Sequence, residues 1–454
     1  MEISQYIESG KKAHLVGIGG VSMSPLAEIL HTRGVSLSGS DMAESASVSR
    51  LRALGIPVTI GHRAENVAGA GFIIRTAAAR EDNVEIQTAR SLGIPVFERA
   101  EAWGYIMRGY DNAVCVAGVH GKTTTTSMLT HILLSAECDP TVMIGGTLPA
   151  LGGGYRVGNG DVIVVESCEY YNSFHNFFPT VAVILNVDAD HLDFFSGLDE
   201  MKASFRTFAS LVPDSGVIVC NGDDPDALDA LAPLGRSLLT FGLAENSRVR
   251  GVNVSAAGLN PSCDVHLDGA FLCKISLKVP GMHNLLNALA AAAAAIAVGI
   301  PPEAIAHGLS GFTGAARRFE YKGSYNGAVI YDDYAHHPTE LHALLDAVLS
   351  LEYNRVILAF QPHTYTRTKA LFDDFSEQLR RLDAPLIAPI FAAREKNESG
   401  ISSKDLADAI PGAQSFDSLA ELTAAIAAEA REGDIILTVG AGDIYKVGEE
   451  LAGS

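Results

Sequence analysis

The amino-acid sequence predicts an α/β protein built mainly from parallel sheets. Short apolar runs alternate with helical stretches along nearly the whole chain, beginning with a strand at His14–Val16 and a helix at Ser24–Thr32. Glycine-rich or polar segments directly follow several predicted strands, among them Val114–Ala117. Ligands of open parallel sheets bind beyond the carboxyl ends of the strands, so these segments are the candidate sites.

Length and pattern divide the chain into three blocks. At 454 residues it is too long for one ordinary domain. The alternation of strands and helices restarts near Arg108–Asn112, and the glycine-rich stretch Gly308–Ala316 has the composition of a linker. We therefore predict domains at residues 1–108, 109–313 and 314–454.

Charge and composition exclude several classes of protein. The net charge of −20 disfavours binding to nucleic-acid backbones or anionic membranes. The longest apolar run, Ala288–Ile300, has 13 residues and is too short to cross a bilayer. The six cysteines are scattered without a C-x-x-C pair, and the N-terminus lacks the apolar core of a signal peptide. We expect a cytoplasmic protein without nucleic-acid partners or membrane insertion.

The first block begins with a glycine loop, Gly17-Ile-Gly-Gly-Val-Ser22, after the first strand. The second predicted strand, Val35–Ser38, runs into Gly39-Ser40-Asp41. Together they are similar to the dinucleotide-binding fingerprint G-x-G-x-x-G with a later acid, except that Ser22 occupies the third glycine position. An imperfect match of this kind is weak evidence, and a dinucleotide-dependent oxidoreductase is one interpretation of it.

The second block contains a phosphate loop, Gly118-Val-His-Gly-Lys-Thr-Thr124, between an apolar strand and a helix. Glycine N–H groups can surround an anion, Lys122 can reach the β- and γ-phosphates of ATP, and the Thr123 hydroxyl can bind Mg²⁺. The usual first glycine of such loops is replaced by Val116. The alternative is a plain strand-to-helix turn with a chance lysine, but strand, loop, Lys-Thr pair and helix agree on a nucleotide site.

Polar side chains follow other strands of this block. Glu166 ends an apolar strand beside the loop and is placed to bind Mg²⁺, unless it is a surface or capping acid. His191 follows the next strand, and a lone histidine there is more often a structural residue. His283 and Asn287 lie four residues apart on one predicted helix face, where they can contact an adenine edge. Helix capping by Asn284 is the alternative.

The third block places histidines, acids and an arginine at strand ends. They lie in Tyr331–Pro338 and Phe360–Thr368, and they are too numerous for ordinary loop residues. Arg317 and Arg318, in the predicted linker, either reach a phosphate or stay solvated. A silent nucleotide-binding regulator would need the phosphate loop alone, so the polar strand ends of this block argue for an enzyme.

The motifs of all three blocks together resemble those of the Mur ligases over nearly the whole chain. The matching stretches are 14–20 (HLVGIGG), 38–41 (SGSD), 117–126 (AGVHGKTTTT), 188–191 (DADH), 280–284 (PGMHN), 317–319 (RRF), 332–340 (DDYAHHPTE) and 360–363 (FQPH). The resemblance implies an N-terminal Rossmann-like domain for the UDP substrate and a central P-loop ATPase domain. It also implies a C-terminal Rossmann-like domain that binds the amino acid and closes on ATP.

The resemblance also implies the reaction, which is the ATP-dependent joining of L-alanine to UDP-N-acetylmuramate in peptidoglycan biosynthesis. The carboxylate would take the γ-phosphoryl group of ATP, and alanine would then attack the acyl phosphate, releasing phosphate beside ADP. His336, His337 and His363 are the candidates for the base that deprotonates the amine. The same resemblance implies Mg²⁺ as cofactor, with the protein a monomer or weak homodimer.

Residue roles are carried over from the family position by position. The UDP substrate would contact Gly17, Gly19, Gly20, Ser40, Asp41 and Thr76. ATP would contact Gly118, Val119, His120, Gly121, Lys122, Thr123, Thr124, His283, Asn287, Arg317 and Asp332. The metal ligands would be Thr123, Glu166 and His191, and the catalytic residues Lys122, His191, His336, His363 and Arg367.

Two departures from the commonest family pattern bear on specificity. Ser167-Cys-Glu-Tyr170 stands where A-D-E-S is usual, and Thr364 where an arginine is frequent. Because both lie near the expected substrate, glycine or serine remain alternatives to alanine. A muropeptide-recycling ligase that accepts a peptide also remains open.

Overall fold

The structure, a computed structural model, describes residues 2–76, 78–191, 194–255, 258–393 and 395–453. These residues form three sheets flanked by helices, as the α/β prediction requires. The chain separates into two compact units. The first comprises residues 1–250, 266–273 and 288–308, and the second comprises residues 251–265, 274–287 and 309–454.

The first sheet is five-stranded and parallel, in the order β3-β2-β1-β4-β5. Its strands are β1 (Ala13–Val16), β2 (Leu37–Asp41), β3 (Val58–Ile60), β4 (Phe72–Arg75) and β5 (Val96–Glu98). The helices are α1 (Ser4–Glu8), α2 (Met23–Thr32), α3 (Ala46–Ala53), α4 (Val84–Ser91) and α5 (Arg99–Met107), with a 3₁₀ turn at Ala64–Val67. The strand order reverses between β1 and β4, which creates a binding crevice at their carboxyl ends.

The second sheet has ten strands in the order β15-β14-β13-β12-β11-β10-β6-β9-β7-β8. The strands are β6 (Asn112–Ala117), β7 (Thr141–Leu148), β8 (Gly153–Arg156), β9 (Val162–Glu166), β10 (Val181–Ile184), β11 (Val217–Asn221), β12 (Leu238–Gly242), β13 (Val249–Ser255), β14 (Ser262–Leu267) and β15 (Ala270–Ser276). The helices are α6 (Lys122–Ser135), α7 (Leu198–Ser210), α8 (Pro225–Leu231), α9 (Met282–Ala297) and α10 (Pro302–Gly311). Three 3₁₀ segments occur at Pro149–Leu151, Tyr170–Asn176 and Ala232–Leu234. Strand β6, which leads into the phosphate loop, pairs in parallel with β9 and β10.

The third sheet has six strands in the order β16-β17-β21-β18-β19-β20. They are β16 (Glu320–Tyr325), β17 (Ala328–Asp333), β18 (Val356–Phe360), β19 (Leu386–Ile387), β20 (Gln414–Ser415) and β21 (Ile435–Val439). The helices are α11 (Pro338–Leu349), α12 (Tyr365–Ala370), α13 (Phe372–Leu379), α14 (Ser403–Asp408), α15 (Leu419–Glu429) and α16 (Tyr445–Gly453). Only β16 is antiparallel to its neighbour, so β17, β21 and β18 end at one edge.

Two differences from the sequence prediction have a clear structural cause. Strand β2 runs to Asp41 instead of ending at Ser38, because Ser40 pairs with Val16 in register and is fully buried. Residues 308–311 are helical and do not belong to a linker. A Cβ atom on Gly308 would lie 2.5 Å from the Cα of Ile132 in α6, so the glycine permits close helix packing. The domain limits at 108 and 313 remain predictions.

No helix among the described residues is long and apolar enough to cross a membrane.

Candidate active site

The glycine loop after β1 is held against the ends of two neighbouring strands. The N–H groups of Gly17 and Ile18 donate to the carbonyl of Ser40, and the N–H of Gly20 donates to the carbonyl of Gly17. Gly17 has φ +78°, and a Cβ there would lie 2.6 Å from Thr76 Cγ2. The Asp41 carboxylate accepts the N–H of Gly19 at 2.8 Å, so this acid shapes the loop.

The side chain of Ser40 belongs to a buried network around Glu85 in α4. Glu85 is fully buried and accepts hydrogen bonds from the Ser40 hydroxyl at 2.6 Å and the Asn66 amide at 2.5 Å. His14 and His62 lie 3.6 and 3.1 Å from the same carboxylate. Burial opposes the charge, but His14, Ser40 and Asn66 outweigh it and lower the pKa of Glu85 to about 2. The Ser40 hydroxyl therefore serves the fold directly.

The phosphate loop is a continuous turn from β6 into α6. Gly118 and Gly121 have φ of +147° and +83°, which favour glycine, and a Cβ on Gly118 would meet Leu185 at 2.8 Å. Asn186, after β10, accepts the N–H of His120 at 2.8 Å and donates to its carbonyl at 3.0 Å. The turn thus presents 118–124, including Val119 and Thr124, at the N-terminus of α6, where anions bind favourably.

Lys122 is the first residue of α6, and its ammonium lies inside the loop. It donates to the carbonyls of Gly118 and Val119 at 2.5 and 3.0 Å and to both oxygens of Glu169 at 3.1 and 3.0 Å. Burial disfavours the ammonium, but the Glu169 carboxylate outweighs it and raises the pKa of Lys122. Lysine and glutamate therefore form a buried ion pair that keeps the lysine protonated.

Glu169 is a site residue that the sequence interpretation missed, since it lies within the departure Ser167-Cys-Glu-Tyr170. It is fully buried, and His191 Nε2 lies 3.5 Å from its Oε1. Burial would raise the pKa of Glu169, but Lys122 and His191 hold it below its usual range. An acid three residues beyond Glu166, at the end of a buried strand, was the available signal.

Thr123 and Glu166 are brought together as predicted. The Thr123 hydroxyl donates to Glu166 Oε1 at 3.0 Å, and the N–H of Gly145 in β7 donates to Oε2 at 2.6 Å. The hydroxyl and carboxylate oxygens form a hard donor pair of the kind that Mg²⁺ prefers. Glu166 pairs in register with Val116, immediately before the loop, and this position explains its approach to Thr123.

His191 has a strained backbone and a defined orientation. Its φ is +53°, which is uncommon for a residue other than glycine, and its ring stacks on Tyr170 at 4.4 Å between centroids. Its acidic neighbours are Glu169 and, at 3.9 Å, Asp190. The structure thus places His191 beside the Lys122–Glu169 pair.

In the second unit, Arg317 is fixed at the carboxyl edge of the third sheet. Its guanidinium donates to Asp332 at 2.9 Å and to the carbonyls of Gly440 and Gly442 at 2.5 and 3.0 Å. Asp332 is fully buried and also accepts the Thr438 hydroxyl at 2.6 Å. Arg317 and Asp332 are both predicted site residues. Their ion pair therefore joins the end of β17 to the residues that follow β21.

The structure also assembles three predicted catalytic residues. The rings of His336 and His363 lie 5.7 Å apart at 72°, and Arg367 lies 3.3 Å from His363 Nδ1. His336 Nδ1 is 3.1 Å from Glu340. His337, the third candidate base, is buried and accepts the N–H of Thr339 as the cap of α11, which is a structural position.

His283 and Asn287 lie on α9, in the part of it that belongs to the second unit. Burial, with a contribution from Arg318, lowers the pKa of His283 to about 4, so this ring is neutral at pH 7. Asn284 is buried and donates to the carbonyl of Pro280 at 2.7 Å. Asn284 therefore stabilises the start of α9. His283 and Asn287 lie four residues apart on this helix, as predicted.

Comparison with known proteins identifies the family. Residues 12–111 match the model described as the Mur ligase family catalytic domain, residues 116–295 the Mur ligase middle domain, and residues 317–442 the Mur ligase glutamate ligase domain. The chain belongs to the Mur ligase family. The predicted Mur ligase architecture is thereby confirmed.

Several curated relatives match this Mur ligase over nearly its whole length. It is 45% identical over 460 residues to UDP-N-acetylmuramate–L-alanine ligase of Caldanaerobacter subterraneus subsp. tengcongensis, covering 99% of both chains. It is 42% identical to the ligase of the same name from Clostridium novyi, covering 97% of both. The crystal structure of UDP-N-acetylmuramate–alanine ligase from Thermotoga maritima has a TM-score of 0.80 and 29% identity, covering 97% of this chain and 98% of that one.

Proposed function

We propose that this Mur ligase joins L-alanine to UDP-N-acetylmuramate with ATP, through an acyl phosphate, and releases ADP and phosphate. Full-length similarity to ligases of that name supports the substrates. The reaction is a cytoplasmic step of peptidoglycan synthesis, and the six cysteines, all free thiols, suit that compartment.

The observation that carries the chemistry is the phosphate loop with its lysine. The ammonium of Lys122 is held by Glu169 at the N-terminus of α6, so a protonated amine and the positive end of the helix both lie where β- and γ-phosphates would bind. In this proposal the ammonium exchanges loop carbonyls for phosphate oxygens when ATP binds. Stabilisation of the charge on the transferred phosphoryl group is the main catalytic contribution.

Thr123 and Glu166 would hold Mg²⁺, because their oxygen atoms already lie 3.0 Å apart beside the loop. The metal would draw charge from the γ-phosphoryl group when bound. The orientation of Glu166 by the Gly145 N–H would set the ligand geometry. His191 would bind a second Mg²⁺, as the family resemblance implies.

The remaining roles belong to the second unit. Neutral His283 and Asn287 would contact adenine, and Arg317 with Asp332 would contact the nucleotide. His336, His363 and Arg367 would orient the amino acid and accept its proton. Of the two histidines, His336 has its Nδ1 atom 3.1 Å from the Glu340 carboxylate, which would orient the ring.

The decisive experiment measures phosphate release from ATP with UDP-N-acetylmuramate and each of L-alanine, glycine, L-serine and a muramyl tripeptide as acceptor amine. We expect the highest kcat/KM with L-alanine. A preference for the peptide would instead indicate a recycling ligase. With ¹⁸O in the substrate carboxylate, one label should enter inorganic phosphate, and pyrophosphate among the products would contradict the acyl-phosphate route.

A further inference from the structure

His191 is a proposed metal ligand whose side chain needs support to keep one orientation. Its backbone has φ +53°, a conformation that residues other than glycine adopt rarely and keep only where surrounding contacts fix it. Its Nε2 atom lies 3.5 Å from Glu169 and 3.9 Å from Asp190. Contacts at a single nitrogen do not define the plane of the ring, so a further contact must set that plane.

Tyr170 supplies this contact, because its ring covers one face of the imidazole. The two ring centroids are 4.4 Å apart and the planes differ by 22°, which is a stacked arrangement. Phe194 meets Tyr170 edge-on, with centroids 6.1 Å apart, and its backbone N–H donates to the His191 carbonyl at 2.8 Å. The two aromatic residues thus hold the side chain and the backbone of His191 together.

The backbone that presents Tyr170 is itself strained and anchored. Tyr171 and Asn172, the next two residues, have φ of +54° and +53°, so the chain is kinked there. The Asn172 N–H donates to the Glu169 carbonyl at 2.8 Å, and the Asn172 side-chain oxygen accepts the hydroxyl of Ser204 in α7 at 2.5 Å. The kink therefore fixes Tyr170 directly after the buried acid that contacts His191.

We propose that Tyr170 is a positioning residue, which holds the His191 imidazole in the orientation that binds a second divalent cation. The inference rests on the proposed function, in which His191 is a ligand of that cation. It gives a role to one departure from the commonest family pattern, because the serine usual at this position is too short to cover an imidazole ring. Tyr170 acts through the histidine by stacking, so its aromatic ring is required and its phenol hydroxyl is not.

The test counts the Mn²⁺ ions bound to the full-length protein by electron paramagnetic resonance, with the β,γ-methylene analogue of ATP and UDP-N-acetylmuramate present. The wild type should show two classes of site, and loss of one class in His191→Ala identifies the class that depends on this histidine. Tyr170→Leu should weaken that class about tenfold, as is typical when a group that supports a metal ligand is lost. Tyr170→Ser should do the same, whereas Tyr170→Phe keeps the ring and should bind both ions like the wild type.

A second measurement follows the stacked ring without metal. In ¹H–¹³C spectra of the metal-free protein, the His191 ring signals are assigned by their loss in His191→Ala. These signals should lose an upfield ring-current shift in Tyr170→Leu and keep it in Tyr170→Phe.

The matched control is Tyr6→Leu, because Tyr6 is another half-buried tyrosine in an aromatic cluster. Its ring centroid lies 5.9 Å from that of Phe72 and 5.4 Å from that of Phe97 in the first sheet. The control should change neither the His191 signals nor Mn²⁺ binding. Affinity for the ATP analogue and the thermal midpoint report on folding, and in the Tyr170 variants both should stay within the range of this control.

The outcomes separate this inference from the function on which it rests. Mn²⁺ binding by Tyr170→Leu equal to that of the wild type would overturn the proposal, as would an equal loss in Tyr170→Phe or a weakening of both classes of site. Unchanged Mn²⁺ binding in His191→Ala would reject the metal role of His191 and this inference with it. Failure of wild-type turnover with L-alanine would reject the ligase function, whereas the Mn²⁺ series would still decide the role of Tyr170.

Discussion

At the scale of single residues, the phosphate loop depends on a carboxylate that lies outside it. Glu169 is fully buried and contacts both Lys122 and His191, so one acid fixes two predicted catalytic groups. Loss of one partner from a buried pair leaves the other charge without compensation. The lysine would then lose both its orientation and the source of its raised pKa.

We expect Glu169→Gln to lower kcat at least about tenfold, a reduction typical of lost support around a metal or phosphate site. The amide retains the size of the side chain but cannot hold Lys122 by charge. Steady-state kinetics with ATP varied would show the effect mainly in kcat. Glu200→Gln, an exposed acid of α7, is the control, and equal kcat values for the two variants would remove Glu169 from the site.

Glu85 makes stability depend on pH in a predictable direction. Its pKa falls from 4.5 to about 2 on folding, so its ionised form stabilises the protein above pH 4.5, and this stabilisation is lost as pH falls towards 2. The difference corresponds to about 3 kcal/mol. Between pH 5 and pH 3, the urea midpoint of the wild type should therefore fall more steeply than that of Glu85→Gln.

The matched control for Glu85 is Glu81→Gln, because the Glu81 side chain is 60% exposed and pairs with Arg75 and the exposed Arg90. Its pH dependence should parallel the wild type. If the urea midpoints of Glu85→Gln and the wild type changed in parallel with pH, the Glu85 network would contribute nothing to the pH dependence of stability.

At the scale of elements, strand β7 supplies a backbone group that orients the proposed metal ligand. A Cβ on Gly145 would lie 2.6 Å from Glu166 Oε1, so Gly145→Ala should displace that carboxylate. We expect a higher Mg²⁺ concentration for half-maximal activity, with little change in thermal midpoint. Gly153→Ala in the paired strand β8 is the control, since a Cβ there meets no atom within 4 Å. Identical Mg²⁺ titrations for both variants would argue against Glu166 as a ligand.

The local sequence predicted which elements form the site better than it predicted the contacts between them. The phosphate loop was recognisable because strand, glycines, lysine and helix are consecutive in the chain. The residues that hold this loop in place were not recognisable, because they are distant in sequence. Lys122 bonds to Glu169, 47 residues later, and His120 bonds to Asn186, 66 residues later. Strand β2 was placed too early because its last residues, Ser40 and Asp41, are polar yet paired with the Glu85 network and Gly19.

At the scale of the whole molecule, the hydrophobic cores are distributed unequally among the predicted domains. Two core clusters cover the third sheet, and their buried members all lie between Ala328 and Leu451. The first sheet has a small cluster of its own around Val16 and Ile73, but a larger cluster runs from Ile3 to Leu231 and includes both Trp103 of α5 and Phe174. The predicted limit at 108 therefore cuts a continuous core, whereas the limit at 313 leaves a core intact.

This difference predicts how the two terminal fragments behave. Residues 314–454 should unfold cooperatively on heating, because their sheet carries packed clusters on both faces. Residues 1–108 should unfold at lower temperature and bind a hydrophobic dye, because the face of α5 that packs on Asn176 would be exposed. A Cβ on Gly104 of that helix would lie 2.0 Å from the Asn176 carbonyl, so the contact is close. Circular dichroism melts with dye binding would measure both properties. Equal cooperativity without dye binding would mean that the first sheet folds independently, and that the shared core contributes little to its stability.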